Sequence, residues 1–161
     1  MNFDKVALRP AVAADHAQLH RLEVECVGGT ALPESQMQWL LQNQAADATF
    51  VVRVAYETDS PDKPIGFIVW KNRPDPITPA LEILNLSVGK NYREERVEHA
   101  ILADAIDVAT KQGLIGMAVN IPQSNMAAAA FYLSHAFNLG HTVERYYEDG
   151  AAMEVFMKRL K

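Results

Sequence analysis

The segment from Leu81 to Ala109 restricts the fold more than any other part of the chain, because a short apolar run is followed within a few residues by a helical pattern. Leu81 to Val88 is rich in Leu and Ile and lies between Pro79 and Gly89, as a buried strand would. Apolar residues then recur at helical spacing, at Val97, Ile101, Ala105 and Val108. A strand that leads into a helix aims unpaired N–H groups and the positive end of the helix dipole at the space beyond it. Such a turn suits a phosphate, but it is also typical of any βα unit.

The remaining segments predict a mixed sheet with helices packed against it. Strands are predicted at 5–9, 49–56, 65–70 and 114–120, with a final hairpin formed by 141–147 and 152–160. Helices are predicted at 15–27, from 33 to about 45–47, and at 126–136. The order is therefore β-α-α-β-β-β-α-β-α-β-β, an α/β (α+β) fold with about seven strands. No repeat or linker divides residues 1–161, so we expect one domain.

Composition narrows the classes of function. A net charge of −5 at pH 7 gives no sign of a general affinity for nucleic acid or anionic lipid, and it favours cationic acceptors such as amines. The single Cys26 cannot form an internal disulfide, and the histidine pair His16 and His20 has no third ligand near it, so no metal site is expected. The first residues lack the apolar core of a signal peptide, and no apolar run is long enough to span a membrane. We therefore expect a cytoplasmic protein with no membrane partner.

Four stretches of sequence carry a resemblance to a known family. They are the central strand LEILNLSV, the phrase NYREERV, the segment NMAAAAFYLSHAFNLG, and YYEDGAAMEVFMKRL near the end. The most specific feature is the spacing N-x-x-A-x-x-F-Y-x-x-x-x-F, matched by Asn125, Ala128, Phe131, Tyr132 and Phe137. Together they resemble the GNAT superfamily of acetyl-CoA-dependent N-acetyltransferases, over nearly the whole chain, and within it the branch that acetylates protein N-termini and small amines. The resemblance implies a GNAT-like fold and acetyl-CoA as the cofactor.

The resemblance also implies where the cofactor binds. In such enzymes the central strand splays away from its neighbour, which leaves backbone groups free to bind the pantetheine arm. Here those groups belong to Leu86, Ser87 and Val88, and Asn125 would add a further hydrogen bond. Backbone amides at the start of the next helix would hold the pyrophosphate. The residues concerned are Arg93, Glu94, Arg96, Val97 and Glu98.

Two residues are candidates for proton transfer. The resemblance places the Tyr132 hydroxyl near the sulfur, where it would protonate the departing thiolate; the alternative is a core tyrosine with a satisfied hydroxyl. Glu82 resembles in position the strand glutamate that some members use as a base, directly or through water. The alternative for Glu82 is a partly exposed residue in an ion pair.

The resemblance implies a small-molecule amine or a peptide as the acceptor, and three aromatic residues are candidates to line its site. Tyr146 and Tyr147 would border the acceptor groove, and only one of them can face it if both lie on a strand; they are otherwise cross-strand aromatics of a hairpin. Trp39 is either a lid over the substrate or a partly buried surface aromatic. Pairing through edge strands would also allow a homodimer.

The sequence departs from the family pattern at the pyrophosphate turn. The pattern is Q/R-x-x-G-x-G/A, and this chain has Arg93 at its first position but Arg96 and Glu98 where small residues are usual. Glycine there lets the backbone approach the phosphates and lets the helix pack on the sheet. Two functions therefore remain open: an active N-acetyltransferase, or a degenerate member that serves as a binding or sensing module.

Overall fold

A computed structural model describes residues 5–28, 31–44, 49–73 and 75–160, with only the backbone described at 94 and 95. Within these residues the chain forms one mixed sheet in the spatial order β1-β2-β3-β4-β5-β7-β6. The strands are β1 Val6–Pro10, β2 Phe50–Glu57, β3 Pro64–Arg73, β4 Ala80–Val88, β5 Gly116–Pro122, β6 Asn138–Val143 and β7 Met153–Arg159. The helices are α1 His16–Val27, α2 Glu34–Asn43, α3 Val97–Lys111 and α4 Met126–Ser134. The predicted order of elements is confirmed.

The two faces of the sheet are covered by different helices. On one face, the apolar sides of α1 and α2 pack against β2 and β3. On the other face, α3 and the Tyr132 side of α4 pack against β3, β4 and β5, with Trp70 and Phe137 fully buried between them. Gly66 of β3 allows α3 to lie this close, because a Cβ there would come within 2.9 Å of Ile101 Cδ1. The apolar stripe predicted for α3 is buried at Val97, Ile101 and Ala105.

Strand β4 has two different neighbours, and its pairing changes along its length. It pairs with β3 in antiparallel fashion throughout, but its parallel pairing with β5 covers only Ala80 to Ile83. The register with β3 shifts at the next residue, because Trp70 faces Ile83 while Val69 faces Asn85, which leaves Leu84 as a bulge. A bulge bends a strand and increases its twist. Beyond Leu84, β4 therefore diverges from β5, as the resemblance implied for a splayed strand.

The predicted bounds of the last hairpin are wrong. The strand predicted at 141–147 is instead β6 at Asn138–Val143, so Tyr146 and Tyr147 lie in the connection to β7 and their facing is not set by strand alternation. The cause is the left-handed backbone at Arg145, with φ of 53°, which ends the extended conformation before the tyrosines. The connection from β4 to α3 also contains a 3₁₀ helix at Lys90–Glu95, so α3 itself begins only at Val97. The predicted end of α2 at residues 45–47 lies outside the described residues.

Candidate active site

The divergence of β4 from β5 opens a cleft of about 740 Å³, which we call the β4–β5 cleft. Its walls come from the second half of β4, the end of β5, the first turns of α4 and the C-terminal end of α1. Predicted site residues that line it are Leu86, Val88, Arg93, Glu98, Asn125 and Tyr132. Residues from four separate parts of the sequence are therefore brought to one cavity.

Tyr132 is the buried aromatic residue of the α4 wall, with 6% of its surface exposed. Phe131 and Phe137 hold its ring in edge-on contacts, with centroids 5.0 and 5.2 Å away. Burial raises the pKa of the Tyr132 hydroxyl, so the group stays protonated at neutral pH and remains a hydrogen-bond donor. Among the described residues no hydrogen bond of this hydroxyl is present. The hydroxyl is thus available as a proton donor to a group bound in the cleft.

Asn125 is the N-cap of α4 and also lines the cleft. Its side-chain oxygen accepts a hydrogen bond from the Ala128 amide at 3.1 Å, which is the usual capping contact. This contact uses the carbonyl oxygen and leaves the NH₂ group as the donor available to a ligand. Ala127 and Ala128 follow on the same wall, and their small side chains leave the cavity open beside the helix.

The residue that precedes α3 has a left-handed backbone, a conformation that glycine adopts most readily, although the residue here is Arg96. Arg96 is the N-cap and is left-handed, with φ of 61° and ψ of 25°. The first-turn amides of a helix lack helical acceptors, so Val97 and Glu98 present donors near the end of β4. The Arg96 side chain lies away from the β4–β5 cleft, in a separate cavity between α3 and α4 with His99 and His135. The long side chain at this position therefore does not fill the cleft.

Glu98 is the group least suited to a phosphate in this cleft. It lines the cavity, and its Oε2 atom is buried without a hydrogen-bond partner among the described residues. A buried carboxylate oxygen without a partner is costly, and it would repel an anion placed at the same helix end. Glu98 thus places a carboxylate at the end of the cleft where the resemblance implies a phosphate.

Arg93 bridges the end of β4 to the end of α1. Its Nε donates to the Val88 carbonyl at 3.3 Å, and its Nη2 donates to the Glu25 carbonyl at 3.2 Å. The Cys26 thiol also donates to the Val88 carbonyl, at 3.3 Å. Protein donors thus already occupy the Val88 carbonyl, and the roles of Leu86, Ser87 and Val88 toward the cofactor stay predictions.

Two other predicted residues of β4, Glu82 and Ser87, are not among the residues that line the cleft. The carboxylate of Glu82 forms an ion pair with Arg73, and Asn120 lies 3.4 Å from its other oxygen. This arrangement corresponds to the ion-pair alternative for Glu82; a role as base stays a prediction. Ser87 is 2% exposed, and its hydroxyl donates to Asn85 Oδ1 at 2.9 Å. Its side chain is thus used within the protein.

The predicted aromatic residues of the acceptor site are found in two places. Trp39 lines a second cavity of about 530 Å³ between helices α1 and α2 and the sheet, which we call the Trp39 cavity. Its ring is 55% exposed and meets Phe50 edge-on, with centroids 6.5 Å apart. Tyr146 and Tyr147 contact each other in the β6–β7 connection, with ring centroids 5.0 Å apart, and line neither of these cavities.

Sequence reasoning missed a polar cluster at the wall between the two cavities. Glu23 is 4% exposed, and its carboxylate accepts hydrogen bonds from Asn85 Nδ2 at 2.7 Å and from the Leu32 amide at 3.1 Å. Burial raises the pKa of Glu23, and the hydrogen bonds partly oppose this rise. A signal was present, since Glu23 falls on the same helical stripe as Leu19 and Leu22, where an acidic residue is unusual.

The described residues contain no cluster of three or more side chains suited to a metal ion. Within the same part of the chain, none of the helices has the length and apolar character required to cross a membrane.

The shape and chemistry of the cleft match much of acetyl-CoA. Its volume, the open side of β4, the donor of Asn125 and the hydroxyl of Tyr132 fit the pantetheine arm and its thioester. At the phosphate end, the left-handed turn before α3 fits, while the carboxylate of Glu98 opposes an anion. The residues therefore fit the group, with one unfavourable charge.

Known structures share this fold over nearly their full length. A GNAT-family protein from Desulfovibrio desulfuricans has a TM-score of 0.82 at 15% identity, covering 97% of this chain and 99% of that chain. The ribosomal-protein-S18-alanine N-acetyltransferase from Escherichia coli has a TM-score of 0.80 at 18% identity, covering 97% and 94%. Arabidopsis thaliana NAA60 in complex with acetyl-CoA has a TM-score of 0.77 at 16% identity, covering 96% and 98%. At these identities the likeness shows the fold.

No curated protein sequence matches the chain significantly. The profile of the Acetyltransferase (GNAT) family, however, matches residues 16–137, which is well over half of the sequence. The chain belongs to the GNAT family of acetyltransferases.

Proposed function

We propose that this protein is an N-acetyltransferase that transfers the acetyl group of acetyl-CoA to a primary amine. One observation carries the proposal: β4 leaves β5 after Ile83, and the cleft that opens there has Asn125 and Tyr132 on its α4 wall. A fold similar to that of Arabidopsis thaliana NAA60, solved in complex with acetyl-CoA, supports this choice of donor.

The residues of the cleft have separate tasks in such a reaction. Acetyl-CoA would supply the acetyl group as a thioester, whose carbon–sulfur bond breaks while a carbon–nitrogen bond to the amine forms. The amine nitrogen would give up one proton to a base, for which Glu82, directly or through water, is the candidate from the sequence. The backbone of Leu86 and the NH₂ group of Asn125 would hold the pantetheine arm in an extended position along β4. The Tyr132 hydroxyl, which burial keeps protonated, would donate a hydrogen bond and then its proton to the leaving sulfur, although the same rise in pKa makes it a weaker acid.

The phosphate end would depend on the main chain of α3 rather than on side chains. The amides of Val97 and Glu98, together with the helix dipole, favour an anion. Arg93 already donates to Val88 and Glu25, and Glu98 contributes a negative charge. We therefore expect acetyl-CoA to bind more weakly than it would with a small residue at position 98.

Calorimetric titration with acetyl-CoA, followed by an assay of thiol release with a panel of primary amines, tests the proposal. Saturable binding and amine-dependent thiol release would support it. Binding of acetyl-CoA without thiol release for any amine would leave a cofactor-binding domain without transferase activity.

A second function is favoured by one specific observation, the unpartnered Oε2 of Glu98 at the phosphate end. If this charge prevents acetyl-CoA from binding, the cleft would serve a different ligand, and the protein would act as a binding or sensing module. Absence of heat when millimolar acetyl-CoA is added to the parent protein, together with saturable binding once Glu98 is replaced by Gln, would select this function.

A further inference from the structure

The Trp39 cavity is separate from the β4–β5 cleft, and its lining has a clear chemical character. Six of its residues are apolar and three are polar, and none is basic. The apolar residues are Leu32, Trp39, Leu40, Phe50, Val69 and Leu84. Its volume of about 530 Å³ is typical of sites for small ligands or for one end of a peptide. A basic lining residue would be needed to hold an acidic ligand, so the cavity disfavours anions.

The polar residues of this cavity are Glu23, which is acidic, and the neutral residues Gln36 and Asn85. The carboxylate is held in place because each oxygen accepts one hydrogen bond, from Asn85 Nδ2 and from the Leu32 amide. Asn85 is held in turn by the Ser87 hydroxyl at 2.9 Å. Each carboxylate oxygen can accept a second hydrogen bond, so a cationic N–H group is the complement of this end of the cavity.

The Trp39 cavity adjoins the β4–β5 cleft. Leu84 and Asn85 line both, and Leu84 is the bulge at which β4 separates from β5. The half-exposed side chain of Leu84 lies at this junction. A group held at Glu23 therefore lies beside the β4 wall of this cleft, whose α4 wall contains Tyr132.

We propose that the Trp39 cavity is the acceptor site and that it takes a primary amine carried on one bulky apolar group, with the ammonium at Glu23. This inference rests on the proposed acetyl transfer and names the class of acceptor. The molecule that carries this amine is either a small aryl or alkyl amine or a peptide that begins with a large apolar residue. Polyamines and amino sugars fit poorly, because their additional charges or hydroxyls would meet an apolar wall without partners.

The binding of amines in the absence of acetyl-CoA gives the most direct test. Calorimetric titration of phenethylamine into the protein should show saturable binding, and its neutral analogue 2-phenylethanol should bind at least about tenfold more weakly because it cannot pair with the carboxylate. In a series of n-alkylamines, the affinity should rise about threefold to fourfold for each added methylene. Spermidine should bind more weakly than phenethylamine.

Single substitutions test whether phenethylamine binds in the Trp39 cavity. Glu23→Gln keeps the shape of the side chain and should weaken phenethylamine about ten- to a hundredfold. Trp39→Ala removes a largely exposed ring and should flatten the dependence on chain length. Glu34→Gln, which removes the same charge from the exposed first turn of α2, is the matched control and should bind like the parent. If Glu23→Gln does not fold, the phenylethanol comparison and Trp39→Ala still decide the question.

The sources are separated by comparing phenethylamine with a tetrapeptide amide that begins with Leu and with one that begins with Gly. Tighter binding of the Leu peptide than of phenethylamine indicates a peptide acceptor, and the reverse indicates a small amine; both support the inference. Equal binding of amine and alcohol, parent-like binding by Glu23→Gln, or tighter binding of spermidine would overturn it. Amine binding without acetyl transfer would contradict the proposed function and leave the recognition of apolar amines standing.

Discussion

Asn85 Nδ2 donates a hydrogen bond to Glu23 Oε1 at 2.7 Å, and this contact joins strand β4 to helix α1 at the wall shared by two cavities. Asn85 follows the bulge that separates β4 from β5, so one residue connects the shape of the β4–β5 cleft to the charged end of the Trp39 cavity. The hydrogen bond from the Asn85 amide holds the buried carboxylate in a fixed direction. The relationship explains why a polar residue interrupts the apolar strand LEILNLSV.

Tyr132→Phe should lower kcat on the order of a hundredfold to ten-thousandfold, because it removes the proposed proton donor but keeps the ring that Phe131 and Phe137 pack against. The Kd for acetyl-CoA should change little. Steady-state kinetics combined with calorimetry of the same preparation measures both quantities. A variant that turns over like the parent would remove Tyr132 from the mechanism.

Glu98→Gln should tighten acetyl-CoA, since it removes the negative charge whose Oε2 lies buried at the phosphate end of the cleft. We expect a decrease in Kd of roughly tenfold, equivalent to about 1.4 kcal/mol. Glu144→Gln is a suitable control, because it makes the same change in charge at an exposed position of the β6–β7 connection. Equal affinity in all three proteins would show that Glu98 does not oppose the ligand.

Ala136→Gly should stabilise the protein by about 1 kcal/mol, because Ala136 is left-handed with φ of 65° and glycine adopts this conformation without strain. The matched control is Ala130→Gly, an exposed position within α4, where glycine should destabilise by about 1 kcal/mol. Urea unfolding of both variants measures the free energies. A loss of stability in Ala136→Gly would indicate that the turn does not form as described.

Acidification should destabilise the fold through His135. Burial lowers the pKa of His135, and the neighbouring charges of His99, Lys158 and Arg96 lower it further. The unfolded chain, with an ordinary pKa near 6.5, then binds a proton more readily than the folded chain. The contribution of His135 to the free energy of unfolding is therefore present above about pH 6.5 and is lost as the pH falls toward the folded pKa.

Urea unfolding at a series of pH values between about 7.5 and 5 checks this expectation. His135→Gln should flatten the decline over this window, while His141→Gln, at an exposed position of β6, should leave it unchanged. The same slope in His135→Gln and the parent would assign the pH dependence to other groups.

The sequence alone determined the order of elements, the family, and the position of the cleft along the chain. These features depend on local periodicity and on short spacings within a single element, such as the spacing from Asn125 to Tyr132 in α4. The sequence did not predict the left-handed turn at Arg96 or the extent of the last hairpin. Both depend on an arginine, Arg96 or Arg145, in the left-handed backbone conformation that such residues disfavour.

The tertiary structure decided which side chains share a cavity. Glu23 and Asn85 are 62 positions apart and meet only because α1 packs over β4, while Glu82, on the same strand as Asn85, is drawn to Arg73 instead. The bulge at Leu84 changes which face of the strand the following residues present, and a shift of one residue in a strand exchanges its two faces. Strand alternation read from sequence cannot include such an insertion, since it is produced by pairing with a neighbouring strand and not by the strand itself.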